Sequence, residues 1–322
     1  MRGGARTGLG LAIASAVSFG LSGPFAKALI NAGWSSNAAL LVRLGGAAVV
    51  LSAVLVVIRP GVLTALRRDS VVLVLYGSFA VAGVQGTFFN AVRYLPVPIA
   101  LLLVHTSPIL VVVWVWLVRH RRPSRLTVLG GAIALAGLSL VVQVWTGVGL
   151  DWRGLLWGMA SALCSAGYFL LADRTDSTTP PMVLAGVGMV LGTGLALLAG
   201  VTGVLPVELP SRGHAVVLAG VDVGWPFAAV FLVLVTTVLA YLTGIAAVRR
   251  IGASQASMVG LLELVSAGVG SWLLLGEVPT AVQCVGGALL LAGIALTQRR
   301  PVAPVSSAVA AGSGSARPGR TR

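Results

Sequence analysis

The sequence predicts an all-α integral membrane protein of ten transmembrane helices, arranged as two inverted five-helix repeats. Of its 322 residues, 57% are hydrophobic and 9% are charged, and the mean hydropathy is +0.99. A soluble domain carries about a quarter of its residues as charged side chains, so this composition excludes the soluble class. Apolar stretches of about 20 residues recur, each long enough to cross a bilayer as a helix. They are continuously apolar rather than alternating, which excludes a transmembrane β-barrel.

Ten candidate spans follow from these stretches. They cover residues 8–30, 36–58, 71–91, 97–118, 126–146, 153–171, 181–201, 227–248, 254–275 and 279–297. Arg2 and Arg6 precede the first stretch, as basic residues precede the apolar core of a signal peptide. We nevertheless interpret this stretch as a true span, because it is long enough to cross and nine further spans follow.

The basic residues predict the orientation of the spans. With the N-terminus inside, 17 of the 22 Lys and Arg residues fall on the cytoplasmic side. This asymmetry follows the positive-inside rule and places both termini in the cytoplasm. We therefore expect a multi-pass protein of a bacterial-type plasma (inner) membrane. The net charge of +14 then marks topology and does not indicate a nucleic-acid partner.

Regions outside the spans carry little functional information. Residues 301–322 are rich in Ala, Ser, Gly, Pro and Arg and predict a disordered cytoplasmic tail. The external loop from about Thr202 to Trp225 suggests no function. Cys164 and Cys284 lie within apolar stretches and cannot build a disulfide or metal framework.

The most informative feature is an internal repeat. Gly130-Gly131-Ala132 matches Gly286-Gly287-Ala288, and Leu135-Ala136-Gly137 matches Leu291-Ala292-Gly293, both at a separation of 156 residues. The first spans of the two halves align at a separation of 146, through Ala14-Ser15-Ala16 and Ala160-Ser161-Ala162. The predicted units are a first repeat at 8–146 and a second at 152–297.

An odd number of spans per repeat makes the second copy enter the membrane from the opposite side. Inverted repeats allow two halves to exchange conformations and expose a midplane site to each side in turn. The repeat therefore favours a secondary transporter. The alternative is an intramembrane enzyme acting on lipid or peptide. The sequence lacks the G-x-S-x-G and H-E-x-x-H patterns of such enzymes, so we predict no enzymatic activity, no cofactor and no metal.

Several short motifs, in the same order in both halves, resemble the EamA repeat of the drug/metabolite transporter superfamily. They are residues 89–95, 107–108, 240–242, 248–253, 263, 275–277 and 286–287. The resemblance covers about residues 9–297 and implies ten helices that move small polar metabolites, often outward. Arg119-His120-Arg121 stands where the pattern has Leu-Gly-Glu, and Leu264 stands where it has Pro.

Glu263 is the leading candidate for a transport residue, because it lies near the middle of the ninth span. A charged side chain there costs about 2.5–3.5 kcal/mol on insertion scales, and such residues are functional by default. It could bind a substrate ammonium group or carry a coupling proton; the alternative is a neutral glutamate that serves packing. Ser107 occupies the matching position in the fourth span, which predicts that the two lie near each other.

Two basic residues lie within spans, where they could bind substrate or extend to the headgroups. Arg43, in the second span, could bind a substrate carboxylate or extend to the external headgroups. The resemblance implies an arginine at this position. Lys27 is nearer the external boundary, and we expect it to extend to the headgroups. Glu277 follows the ninth span and is expected to be solvated or to cap the tenth helix.

The remaining candidates are polar groups within spans. Pro108 predicts a helix kink, because proline removes an amide donor. His105 could relay protons or serve packing. Asn90, with Gln85, and Tyr168 are candidate cavity-lining groups.

These residues predict a secondary active transporter of small polar metabolites, and Arg43 with Glu263 suits a zwitterion such as an amino acid. We expect a small-molecule substrate, membrane lipids and a coupling proton as partners, and an exporter as the direction of transport. A homodimer is left open.

Overall fold

The structure is a computed structural model. It describes residues 2–58, 70–120, 124–142, 151–172, 181–210, 215–251, 259–260 and 262–298. The predicted ends at 143–146 and 254–258 and the tail at 301–322 lie outside these ranges.

The first repeat contains five spans, three of which are interrupted helices. The first span is α1 (Arg2–Gly20) and α2 (Ser22–Asn31), and the second is α3 (Ser36–Ile58). The third is α4 (Ser70–Tyr76), a π-helical segment (Gly77–Gly83) and α5 (Val84–Tyr94). The fourth is α6 (Val97–Val104) and α7 (Ser107–Arg119), and the fifth is α8 (Arg125–Val142).

The second repeat shares the π-helical segment in its third span but begins with an uninterrupted helix. Its first two spans are α9 (Trp152–Ala172) and α10 (Pro181–Val201). A short hairpin of β1 (Val217–Leu218) and β2 (Val221–Asp222) precedes the eighth span. That span is α11 (Trp225–Val233), a π-helical segment (Leu234–Leu239) and α12 (Ala240–Ile251). The ninth and tenth spans include α13 (Leu262–Leu275) and α14 (Ala281–Gln298).

Length and composition identify membrane-crossing helices among the described residues. Four are long and apolar enough to cross: Arg6–Asn31, Ser36–Leu55, Val97–Val118 and Trp225–Ile251. Shorter apolar helices occupy four further predicted spans. Large apolar side chains such as Val57 and Leu117 are exposed on the perimeter, where a membrane protein contacts lipid. The predicted all-α membrane fold is confirmed.

Glycines explain why the repeat is most visible in the fifth and tenth spans. A Cβ added at Gly137 would lie 2.4 Å from Leu290 N, and one at Gly293 would lie 2.5 Å from Ala134 N. The two contacts are equivalent, because at a separation of 156 residues Gly137 matches Gly293 and Ala134 matches Leu290. The two helices cross with their backbones in contact, which small residues allow in membranes.

A pseudo-twofold relation extends beyond this crossing. The first span packs against the eighth and ninth, and the sixth span packs against the third and fourth in the same way. Ser15 Oγ donates to Ala240 O at 2.7 Å, and Ser161 Oγ donates to Val84 O at 2.8 Å. Ser15 and Ser161 are the residues matched at a separation of 146, and their two acceptors are matched at 156. The contacts therefore reproduce both registers of the repeat.

Backbone irregularities repeat as well. Adding 156 to the first π-helical segment gives 233–239, and the second covers Leu234–Leu239. His120 after α7 has φ +51°, and its counterpart Gly276 after α13 has φ +70°. The first repeat thus keeps the left-handed helix end although it has His where the second has Gly.

Candidate functional site

Arg43 is buried in the middle of the fold rather than extended to the headgroups. Its side chain is 3% exposed. Nε donates a hydrogen bond of 3.0 Å to Thr237 Oγ1, and the guanidinium carbon lies 5.4 Å from the centroid of the Phe89 ring. Of the two alternatives for Arg43, extension to the headgroups does not agree with this burial, because α3 places the side chain where the third and eighth spans surround it.

The π-helical segment of the eighth span builds the acceptor for Arg43. A π turn leaves carbonyls without the usual i+4 amide partner. The hydroxyls of Thr236 and Thr237 both donate to Leu232 O, at 2.7 and 2.9 Å. Because the Thr237 proton is directed to that carbonyl, its lone pairs face Arg43 Nε. The local backbone therefore fixes the direction of this hydrogen bond.

Glu263 lies in the first turn of α13 and is partly buried. Among the described residues, no ion pair joins Glu263 to His105 or Arg43, but its carboxylate is near enough for both to act on it electrostatically, and Tyr241 acts on Arg43 in the same way. The first span packs closely here, since a Cβ added at Gly20 would lie 2.5 Å from Glu263 O. The structure therefore brings an acid, an imidazole and a guanidinium from three different spans into one electrostatic group.

The fourth span is interrupted at His105 and Thr106, between α6 and α7. His105 Nδ1 lies 2.9 Å from Leu101 O. A carbonyl oxygen can only accept, so Nδ1 carries the hydrogen and Nε2 of the neutral ring retains a lone pair. Pro108 lies in the first turn of α7, after the interruption.

Ser107 begins α7 and is 3% exposed. Its Oγ accepts a hydrogen bond of 3.1 Å from Ser165 Oγ in the sixth span. Among the described contacts, no hydrogen bond joins Ser107 to Glu263. In the fourth span, it is His105 that interacts with the glutamate.

Among the described contacts, none joins the candidates on the third span to this group, and the candidate side chain on the sixth span is not described. Asn90 Nδ2 donates to Gly86 O at 2.8 Å, and Asn90 lines a cavity of about 280 Å³ with Asn37 and Arg93. Gln85 is buried, and its Oε1 has no hydrogen-bond partner among the described residues. The side chain of Tyr168 falls outside the described part of the chain.

Lys27 and Glu277 form an ion pair, with 2.5 Å between Nζ and Oε1. Lys27 Nζ also donates to Leu95 O at 2.8 Å, and Glu277 Oε2 accepts from Val97 N at 3.1 Å. The expected extension of Lys27 to headgroups is therefore wrong, because a carboxylate and a carbonyl satisfy the ammonium. Glu277 caps the start of α6 rather than the tenth helix.

An apolar cavity of about 580 Å³ lies beside the fourth, ninth and tenth spans. Leu102, Val269 and Leu291 are among its lining residues, but Glu263 and Arg43 are not. In this conformation the electrostatic group is packed within the helices. Among the described residues, no group of three His, Cys, Asp or Glu side chains could hold a metal ion.

Three residues that the sequence does not predict as site residues complete the group. Thr237 and Phe89 contact Arg43, and Tyr241 interacts with it. The Thr236–Thr237 pair within an apolar span was the available signal for the first of these.

Comparison with known proteins identifies the family of this chain. The model of the EamA-like transporter family matches residues 6–143 and 152–299, which is one match for each repeat. The chain is 26% identical over 232 residues to the uncharacterized inner membrane transporter YicL of Salmonella typhimurium, covering 71% of this chain and 73% of the relative. It is 24% identical over 232 residues to the uncharacterized transporter YwfM of Bacillus subtilis, covering 71% and 74%.

The fold is also found among solved structures. One crystal structure superimposes with a TM-score of 0.58 at 20% identity and covers 90% of this chain and 96% of its own. That likeness concerns the fold alone. The matched family model spans nearly all of the chain outside the tail, and the protein is a multi-pass membrane protein that belongs to the EamA-like transporter family.

Proposed function

We propose that this protein is a secondary active exporter of amino acids or related small zwitterions, working by alternating access. The supporting observation is the electrostatic group in which Glu263 interacts with His105 and Arg43. The three side chains come from the ninth, fourth and second spans. A site built from both repeats is what a transporter of inverted repeats requires.

The charges of the group suit a substrate that carries both signs. Arg43 has one nitrogen committed to Thr237, and a guanidinium can bind a carboxylate through its other N–H groups. Glu263 supplies a carboxylate for an ammonium group. A substrate with only one charge would leave the opposite protein charge unpaired in a low-dielectric site, which is costly.

Proton coupling follows from the same residues. Nε2 of neutral His105 can accept a proton, and Glu263 can carry one when no ammonium group is bound. Moving one elementary charge through 100 mV is worth about 2.3 kcal/mol, so one coupled proton can sustain a concentration gradient. We propose that substrate and proton compete for Glu263, which couples their opposite movements.

In this proposal, alternating access arises from movement of the two repeats. The halves are 8–146 and 152–297, in a bacterial-type plasma membrane with both termini in the cytoplasm. The pseudo-twofold relation of the helix contacts gives each arrangement of one repeat a counterpart in the other. The partners are the small-molecule substrate, protons and membrane lipids. Light scattering of the purified protein distinguishes a monomer from a homodimer.

A metabolite comparison tests the proposal directly. Cells that lack the protein and cells that overexpress it are grown in minimal medium, and extracellular amino acids are quantified by mass spectrometry. We expect at least one amino acid or close relative to rise in the medium with overexpression and to accumulate inside the deletion strain. The Glu263→Gln variant, expressed equally, should match the deletion strain, and exposed Glu208→Gln is the control. An unchanged profile in both strains contradicts the proposal.

A further inference from the structure

The ion pair of Lys27 and Glu277 lies at the boundary between two groups of helices. Lys27 belongs to the first span, and Glu277 directly follows the ninth. The first span packs against both the ninth and the eighth. The third, fourth and sixth spans form the corresponding second group. The two charged side chains therefore belong to one group of helices.

Their remaining hydrogen bonds reach into the other group. Lys27 donates to Leu95 O, and Glu277 accepts from Val97 N. Leu95 and Val97 flank the turn between the third and fourth spans, on the predicted external side. Each charged side chain thus contacts the other and also bonds one backbone group of that turn. The ion pair is therefore attached to the turn through both a carbonyl and an amide.

The backbone around Glu277 fixes its side chain in this position. Gly276 has φ +70° and donates to Trp272 O at 3.1 Å, while Glu277 N donates to Ser271 O at 3.2 Å. The Gly276–Trp272 bond is that of an αL helix end, which sets the direction in which the chain leaves the helix. The carboxylate then lies at the N-terminus of α6, where the helix dipole favours a negative charge.

The ion pair is partly buried rather than exposed on the surface. Lys27 and Glu277 side chains are 15% and 17% exposed. Beneath them, the Val97 side chain is fully buried, and an added Cβ at Gly23 would collide with it. At this point α2 and the start of α6 are therefore in direct contact.

The sequence gives independent support. The register of 146 residues for the first span relates Lys27 to Asp173, and the register of 156 relates Glu277 to Arg121. The two matched positions therefore also carry opposite charges, with an acid matching Lys27 and a base matching Glu277. This argues against a chance contact between Lys27 and Glu277.

We infer that Lys27 and Glu277 form the external gate of the protein, a clamp on the Leu95–Val97 turn that must break before the site opens outward. This inference rests on the proposed function in one respect: it assumes that the protein is a transporter with a state open to the outside. Neither residue touches the electrostatic group of Glu263. Their role is to hold one conformation closed.

Thiol labelling tests the gate without any substrate. In a background with Cys164→Ser and Cys284→Ser, Val97→Cys places a thiol beneath the clamp and keeps the amide of residue 97. Spheroplasts are treated with a membrane-impermeant maleimide, and the labelling rate is measured. Glu277→Gln and Lys27→Met are then added separately. Glu208→Gln is the matched control, because its side chain is exposed on the same side and only its backbone has described bonds, to Ser35.

We expect each gate variant to be labelled about tenfold faster than the control, as the loss of one charge-assisted hydrogen bond predicts. Monodisperse elution in detergent confirms that a variant is folded, and either folded variant is sufficient for the test. A folded variant labelled at the control rate overturns the gate. Since labelling needs no transport, a protein that moves no amino acid would overturn the proposed function and leave this result standing.

Discussion

Arg43 Nε and Thr237 Oγ1, 194 positions apart in the chain, are joined by a buried hydrogen bond of 3.0 Å. The bond links the second span to the π-helical segment of the eighth, and hence one repeat to the other. It also leaves the rest of the guanidinium group next to Phe89 and within the electrostatic field of Glu263. Four predictions follow from this geometry and from the helix contacts around it.

Replacing Thr237 should impair both stability and substrate binding. Thr237→Val removes the acceptor of Arg43 Nε and leaves a buried donor unpaired, at a cost of about 1–3 kcal/mol. We expect a lower thermal unfolding midpoint in detergent and a raised KM for export. Thr236→Val is the matched control, because the Thr236 hydroxyl donates to Leu232 O and has no described contact with Arg43. Equal effects of the two substitutions would show that the Arg43 bond is unimportant.

Transport should require arginine at position 43, and lysine should not substitute for it. Arg43→Lys keeps the positive charge but loses the planar fork that binds a carboxylate through two hydrogen bonds. We expect Arg43→Lys to reduce transport by about tenfold or more, in keeping with one lost charge-assisted hydrogen bond. Transport measured in proteoliposomes at matched protein amounts is the test. Wild-type transport by Arg43→Lys would assign Arg43 to helix packing.

The crossing of α8 and α14 should tolerate no side chain at Gly137. Gly137→Ala places a methyl group 2.4 Å from Leu290 N, which is backbone and cannot rotate away. Overpacking of this kind costs about 1–3 kcal/mol, so the unfolding midpoint in detergent should fall. Gly131→Ala, on the same helix, meets nothing within 4 Å and is the control. If the two variants unfold at the same temperature, the close crossing is absent in the membrane protein.

The amino-acid sequence predicts the class, the order of the spans and the repeat, because these depend on composition and periodicity. It also predicts Arg43, His105 and Glu263 as candidates, since an ionisable residue in an apolar span is conspicuous. The π-helical segments escaped prediction because one extra residue per turn leaves no mark in composition. Lys27 and Glu277 were assigned separately to headgroups and solvent. They are 250 residues apart, and only the folded chain shows that they meet.

The position of Ser107 shows a related limit. The repeat register correctly matches it to Glu263 by sequence, but a register does not state which side chains touch. The interruption of the fourth span at His105 and Thr106 places the imidazole, two residues earlier, in the field of the glutamate. Ser107 is instead bonded to the sixth span.

Substitution of Glu263 tests the central claim most directly. Purified wild-type protein, Glu263→Gln and the control Glu208→Gln are reconstituted into liposomes, and uptake of a labelled amino-acid mixture is followed under an imposed pH gradient. Glu263→Gln keeps the shape of the side chain but can neither release a proton nor pair with an ammonium group. We predict that its uptake equals that of protein-free liposomes, while it elutes from size exclusion like the wild type and Glu208→Gln remains active. Uptake by Glu263→Gln at the wild-type rate would contradict the account.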